Sequence, residues 1–302
     1  MEIGFRQMLT ERQKKVNSLV CVGLDPLIEK LPSHLGEKHK ASPIGDIFYD
    51  WMGAIVDATA PYASMYKPQS AHWESVHGGV EALQKLVIYI KTKYPGIPIF
   101  LDCKRGDIGR TQERYRVAHL EMADFDGMNF SPYMGKDCMA GLVDKNKPGK
   151  ALVGLCYTSN PAARQVQDLS FPNSGAPTVK LWEVMAGMIL GWAEDLGVVK
   201  DAGLVMAAAY ENPKGSGKVY SEHLKRCREL VSYLLWFLIP GIGTQGGFIA
   251  ETVKAAFGGP GTIAINSSSD IIFASKGEDF AEAAAKKAEQ LRDQIREAGG
   301  NC

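Results

Sequence analysis

No C-x-x-C pair occurs among the six cysteines at 21, 103, 138, 156, 227 and 302, and no H-x-x-x-H pair among the six histidines. The cysteine spacing is irregular, and Cys21 and Cys156 sit inside apolar runs. They read as reduced thiols packed like small hydrophobes, so neither a disulfide framework nor a metal site is expected. A charge excess of either sign is also missing, because 34 Lys and Arg face 34 Asp and Glu. Nothing here makes the basic footprint of a nucleic-acid binder, and an anionic ligand would need a local cluster of cations. Long apolar runs are absent too. The longest, Leu230–Pro240, is interrupted by Ser232 and is too short to span a bilayer. The amino-terminal MEIGFRQMLTERQKKV is charged and amphipathic, without the apolar core of a secretion signal. It predicts a helix over about residues 2–15 and a cytoplasmic protein.

What the chain does have is alternation. Hydrophobic residues make up 45% of it, enough for a large core. Apolar runs of strand character fall at Leu19–Leu24, Ala63–Lys67, Pro98–Asp102, Gly127–Phe130, Ala151–Cys156, Ala202–Ala207, Leu235–Ile239 and Thr262–Ile265. Helical periodicity follows each, at Ile44–Thr59, Gly79–Lys93, Thr111–Ala123, Cys138–Asp144, Val179–Leu196, Ser221–Tyr233, Phe248–Phe257 and Phe280–Glu297. Strict strand–helix alternation implies a parallel sheet, and eight units close a (β/α)8 barrel of the TIM type. A doubly wound open sheet would be expected to carry G-x-G-x-x-G after its first strand, where this chain has VGLDP. With no composition shift or repeat, residues 1–302 read as one domain. Long connections at Pro26–Pro43, Thr158–Pro177 and Glu211–Tyr220 are candidate binding loops.

Barrel enzymes carry their chemistry at the carboxyl ends of the strands. The polar residues there are Asp25, Lys67, Asp102 with Lys104, Asn129 with Ser131, Thr158 to Asn160, the glycine-rich Pro240–Gly247, and Asn266–Ser269. Asp102 and Lys104 are two apart, so in a regular strand both would face the mouth. Lys67 would approach from the neighbouring strand, and a carboxylate between two ammonium groups keeps all three charged in a partly dry site. An isolated D-x-K is more often an ordinary salt bridge; convergence of several strand ends on one mouth makes the catalytic reading the stronger one. Two turns rich in N–H and hydroxyl groups, PGIGTQGG and NSSSD, follow strands seven and eight, where barrels bind phosphate.

These residues resemble a known family. The segment LDCKRGDIGRT (Leu101–Thr111) is similar to the D-x-K-x-x-D-I-x-x-T signature of orotidine 5′-monophosphate decarboxylases, and most similar to a longer bacterial and parasite subgroup. VGLDP, YKPQSAHWE, TSNP and IPGIGTQGG resemble further blocks of that family in the same order. The resemblance implies a cofactor-free, metal-free decarboxylase in which Lys67, Asp102, Lys104 and Asp107 form an alternating charge array. By the same resemblance, Asp25 holds a ribose hydroxyl and Ser159 reads the pyrimidine edge. Gln245 and Gly246, with Ser268 and Ser269, meet the phosphate. Asp107, Ile108 and Thr111 are implied to reach the partner's site in a homodimer, and the ligands to be orotidine and uridine 5′-monophosphate. Two alternatives remain: a magnesium-dependent sugar-phosphate decarboxylase of the same superfamily, and a non-catalytic nucleotide-binding barrel.

Two positions depart from the family pattern. Where N-S-S-R is expected after strand eight, the chain has Asn266, Ser267, Ser268 and Ser269, so a phosphate-gripping guanidinium is missing. After strand six, Ala207–Ala209 stands where Gly-Ala-Thr is usual. A charge-assisted hydrogen bond is worth about 1.5–3 kcal/mol, or roughly ten- to a hundredfold in affinity. Ser269→Arg is therefore expected to raise kcat/KM on the phosphate ester by about that factor. Steady-state kinetics giving an unchanged or lower value would refute this reading of Ser269.

Overall fold

The computed structural model describes residues 3–38, 42–173, 176–242 and 247–302. Eight strands pair in parallel: β1 (Val20–Gly23), β2 (Met65–Lys67), β3 (Phe100–Arg105), β4 (Gly127–Phe130), β5 (Ala151–Tyr157), β6 (Gly203–Met206), β7 (Trp236–Ile239) and β8 (Ile263–Ser267). Their order is β2-β1-β8-β7-β6-β5-β4-β3. The cylinder is closed between β2 and β3 by two isolated parallel bridges, Tyr66 with Ile99 and Gln69 with Asp102. Tyr66 N–H donates to Pro98 at 3.0 Å and Asp102 N–H to Pro68 at 2.9 Å across that seam. The expected barrel is thus the observed one.

Packing divides into two shells, because each strand alternates its side chains between the helices and the barrel axis. The outer shell places residues such as Val22, Leu101 and Ile265 against Trp51, Ile55 and Leu86 of the surrounding helices. The inner shell contains Cys21, Met65, Phe100, Val153, Val205, Trp236 and Leu238. It also takes Phe5 and Leu9 from the helix Phe5–Val16, both fully buried. Phe5 stacks on Trp236 at 5.1 Å and meets Phe100 edge-on at 6.1 Å. Those partners stand at the first residues of β7 and β3, so the helix plugs the floor of the barrel, opposite the carboxyl ends. Arg6 fixes its angle by donating to the carbonyls of Gly261, Leu234 and Tyr233.

Several boundaries differ from the sequence expectation. The amino-terminal helix starts at Phe5, the helix after β4 is only Asp137–Ala140, and the one after β3 runs Gly109–Arg116 before widening to π geometry over Val117–Met122. Val179 belongs to no helix. It lies in Ala176–Lys180, which pairs antiparallel with Ser170–Asn173 and sets Phe171 opposite Val179. The aromatic and the β-branched residue favour that hairpin, and the helix begins only at Leu181. Glu211–Tyr220 is likewise no plain loop, since Tyr210–Glu211 pairs with Val219–Tyr220. Among the described residues no helix is long and apolar enough to cross a membrane.

Because Phe5 fills the floor, Phe5→Ala is expected to cost about 3–5 kcal/mol. A urea unfolding series measures this; a loss below about 1 kcal/mol would show that the plug is dispensable.

Candidate active site

At the mouth, a cavity of about 680 Å³ is lined by Asp25, Lys67, Asp102, Lys104 and Asn129 on one side. Thr158, Ser159 and Asn160 line another side, and Asn266, Ser268 and Ser269 a third. That volume suits a small organic ligand. A neighbouring cavity of about 700 Å³ shares Ile242 and Ser269 but has none of the clustered charge.

Asp102 is the hub. Its Oδ2 accepts from Lys67 Nζ at 3.0 Å, and its Oδ1 accepts from Lys104 Nζ at 2.5 Å and Asn129 Nδ2 at 2.6 Å. Lys67 is only 3% exposed, whereas Lys104 is 47% exposed toward the cavity. The two lysines therefore differ in kind: one is locked in the wall, the other presents its ammonium to a ligand. Asp25 stands 4.0 Å from Lys67 Nζ and accepts from Gln69 N–H at 2.9 Å and Ser268 Oγ at 2.6 Å. Gly23 permits that last contact, for a Cβ there would lie 2.6 Å from the Cβ and Oγ of Ser268.

Lys104 does not reach Asp102 through regular alternation. The register of β3 against β4 shifts between Leu101 and Arg105, and Lys104 has φ 49°. A left-handed conformation costs a lysine roughly 1–2 kcal/mol. Asn129 offsets that cost: its Oδ1 accepts from both Cys103 N–H at 2.9 Å and Lys104 N–H at 2.7 Å. One amide thus satisfies the bulged backbone while its NH₂ holds Asp102. Asn129 was visible in the sequence as a polar strand end, but nothing in its spacing gave it this double part.

Burial opposes charge on Lys67 and Asp102, and mutual attraction overrides it. Asp102 and Asp25 hold Lys67 above the ordinary lysine range. Lys67, Lys104 and the Asn129 hydrogen bond hold Asp102 well below the ordinary carboxylate range. A depressed carboxyl contributes stability above its unfolded value, lost only as pH falls through the depressed one. A raised lysine contributes stability below its unfolded value, lost as pH rises past the raised one. Both charges persist across the whole neutral range. Burial pushes the nearby Cys21 up, so it stays a thiol.

Other expected site residues fall in three groups. Ser159, Ser268 and Ser269 line the cavity with the array. Asp107, Ile108 and Thr111 lie outside its lining; Asp107 N–H donates to Gln112 Oε1, and Asp107 Oδ1 accepts from Ile108 N–H at 2.8 Å. Gln245 and Gly246 lie outside the described residues.

Residues 18–286 match the model of the "Orotidine 5'-phosphate decarboxylase / HUMPS family". The chain belongs to that family. It is 38% identical over 292 residues to an orotidine 5′-phosphate decarboxylase of Azoarcus sp. (strain BH72), covering 96% of this chain and 98% of the relative. A Ralstonia nicotianae protein of the same name is 37% identical, with 96% and 97% covered. Among solved structures, the Leishmania donovani OMP decarboxylase superposes with a TM-score of 0.74 at 27% identity, covering 98% of each chain.

Removing Lys67 takes one of two cations from the buried Asp102 carboxylate and leaves it Lys104 and Asn129. Lys67→Met is expected to cost about 1.5–3 kcal/mol at neutral pH. The gap should narrow as pH falls below the ordinary carboxylate range, where Asp102 can protonate in the variant. Urea titrations at several pH values test this, and a pH-independent gap would count against it.

Proposed function

We propose that this barrel converts orotidine 5′-monophosphate to uridine 5′-monophosphate and carbon dioxide, with Lys104 as the proton donor and no cofactor. The observation that carries the proposal is the Lys67–Asp102–Lys104 array at the cavity wall. Breaking the bond between carbon 6 and the carboxyl group leaves an electron pair on a ring carbon with no conventional sink. A preformed cation beside that carbon lowers the barrier without reorganisation, and its ammonium then delivers a proton there. Lys67 keeps Asp102 charged and fixed, and Asp102 in turn orients Lys104. Asp25 takes a ribose hydroxyl and Ser159 the pyrimidine edge. Ser268 and Ser269, with Gln245 and Gly246, take the phosphate. Remote phosphate contacts supply binding energy that orders the reacting end.

The reading extends to a homodimer. Asp107, Ile108 and Thr111 complete the partner's site, which accounts for their place outside the cavity of their own chain. Ile108, Tyr133 and Met134, on the segments after β3 and β4, are exposed apolar side chains that a partner would cover. All six cysteines are unpaired, in keeping with a cytoplasmic enzyme. The shared name of the relatives supports the pyrimidine substrate over a sugar phosphate, and the intact array supports catalysis over mere binding.

An absorbance assay on orotidine 5′-monophosphate tests the reaction. The parent protein should turn over, and Lys104→Ala should lose about 10²–10⁴-fold in kcat. Mixing inactive Lys104→Ala with inactive Asp107→Ala should restore part of the activity, because one of the two sites in a mixed dimer is intact. No turnover by the parent refutes the reaction; turnover without complementation refutes the shared site.

A further inference from the structure

The turn that carries Ser159 is braced by a residue of the following helix that also lines the cavity. β5 ends at Tyr157, and Thr158, Ser159 and Asn160 then bend across the cavity. Gln167, the last residue of the short helix Arg164–Gln167, reaches back to Thr158 with both ends of its amide. Its Oε1 accepts from Thr158 N–H at 2.9 Å, and its Nε2 donates to Thr158 Oγ1 at 2.9 Å. Since only the oxygen can accept from a backbone N–H, the amide orientation is fixed. Thr158 Oγ1, having accepted from Gln167, donates to Asn160 Oδ1 at 2.7 Å. The relay spans Ser159 and ties the residues on either side of it.

Three further contacts anchor the clamp. Asp168, next to Gln167, accepts from Tyr157 Oη at 3.4 Å and from Lys180 Nζ at 3.2 Å. Ala163 N–H donates to the Asn160 carbonyl at 3.0 Å. Ser159 itself makes no side-chain hydrogen bond among the described residues, and it lines the cavity. A hydroxyl left free on a turn whose neighbours are both tied is ready for a ligand at little ordering cost.

We propose that Gln167 is a positioning residue for base recognition: it sets the direction of Ser159 and so the selectivity for the pyrimidine edge over the rest of the ligand. This rests on the reading that Ser159 meets the base. A purely structural Gln167 would weaken all ligands alike. A positioning Gln167 weakens only ligands that carry the base.

The test is calorimetric titration of the intact protein with uridine 5′-monophosphate and with ribose 5-phosphate, which lacks the base. It uses the parent, Gln167→Ala, Gln167→Glu, Ser159→Ala and the Ser159→Ala/Gln167→Ala double variant, with melting temperatures recorded. Gln167→Ala should weaken uridine 5′-monophosphate by about tenfold and leave ribose 5-phosphate nearly unchanged. Added to Ser159→Ala, it should cause no further loss. Gln167→Glu keeps the acceptor for Thr158 N–H and should recover part of the preference; its extra charge acts equally on both phosphates and cancels in their ratio. It also serves if the alanine variant melts early. Equal weakening of both ligands, or full additivity with Ser159→Ala, would overturn the clamp. If Ser159→Ala binds uridine 5′-monophosphate as the parent does, the reading of Ser159 falls, and the clamp's role in base recognition falls with it.

Discussion

The ion pair between Lys67 and Asp102 spans the thinnest join in the cylinder. Elsewhere neighbouring strands pair through ladders, two of them interrupted by a register shift, but β2 and β3 meet through two isolated bridges, one of which includes Asp102 itself. The 3.0 Å contact between the side chains therefore reinforces a backbone seam and builds the charge cluster at once. Desolvating two such ions is costly, and a buried pair is seldom retained for stability alone. Here Lys67 first, then the second cation Lys104 and the Asn129 amide, hold the carboxylate ionised against its burial.

From that hub the rest of the mouth is arranged in order of rigidity. Lys67 is locked, Asp102 is saturated, and Lys104 is half exposed on a bulge whose backbone Asn129 satisfies. The neighbouring wall is fixed through Asp25, which accepts from Ser268 and the Gln69 backbone. The charged groups are thus carried by strand ends, where packing holds them, while the hydroxyls of Ser159, Ser268 and Ser269 stand on the connections that follow β5 and β8.

The barrel was legible because each strand is an apolar run and each helix a periodic one, and because eight such units leave little choice of closure. Asp25, Lys67, Asp102 and Lys104 were legible because they are the first polar residues past those runs. The route by which Lys104 reaches Asp102 was not. Alternation predicted it, whereas the register shift and the φ of 49° deliver it, and only the neighbouring strand reveals the Asn129 amide that makes the bulge tolerable. Gln167 was equally silent, since it sits in a segment read as loop and acts through hydrogen bonds that no periodicity encodes. The Ser170–Lys180 hairpin escaped because Val179 and Lys180 also fit the helical repeat that follows them.

Phe5 and Trp236 touch across about three-quarters of the length of the chain. On the ribosome, residues 5 and 9 are made long before the seventh strand exists to receive them. Until then the amphipathic helix has only part of its seat, Phe100 but not Trp236, so the lower opening cannot be sealed before the seventh strand emerges. Closure of the base is accordingly a late event whose contacts are among the most non-local in the molecule, and such contacts slow the search for the native state.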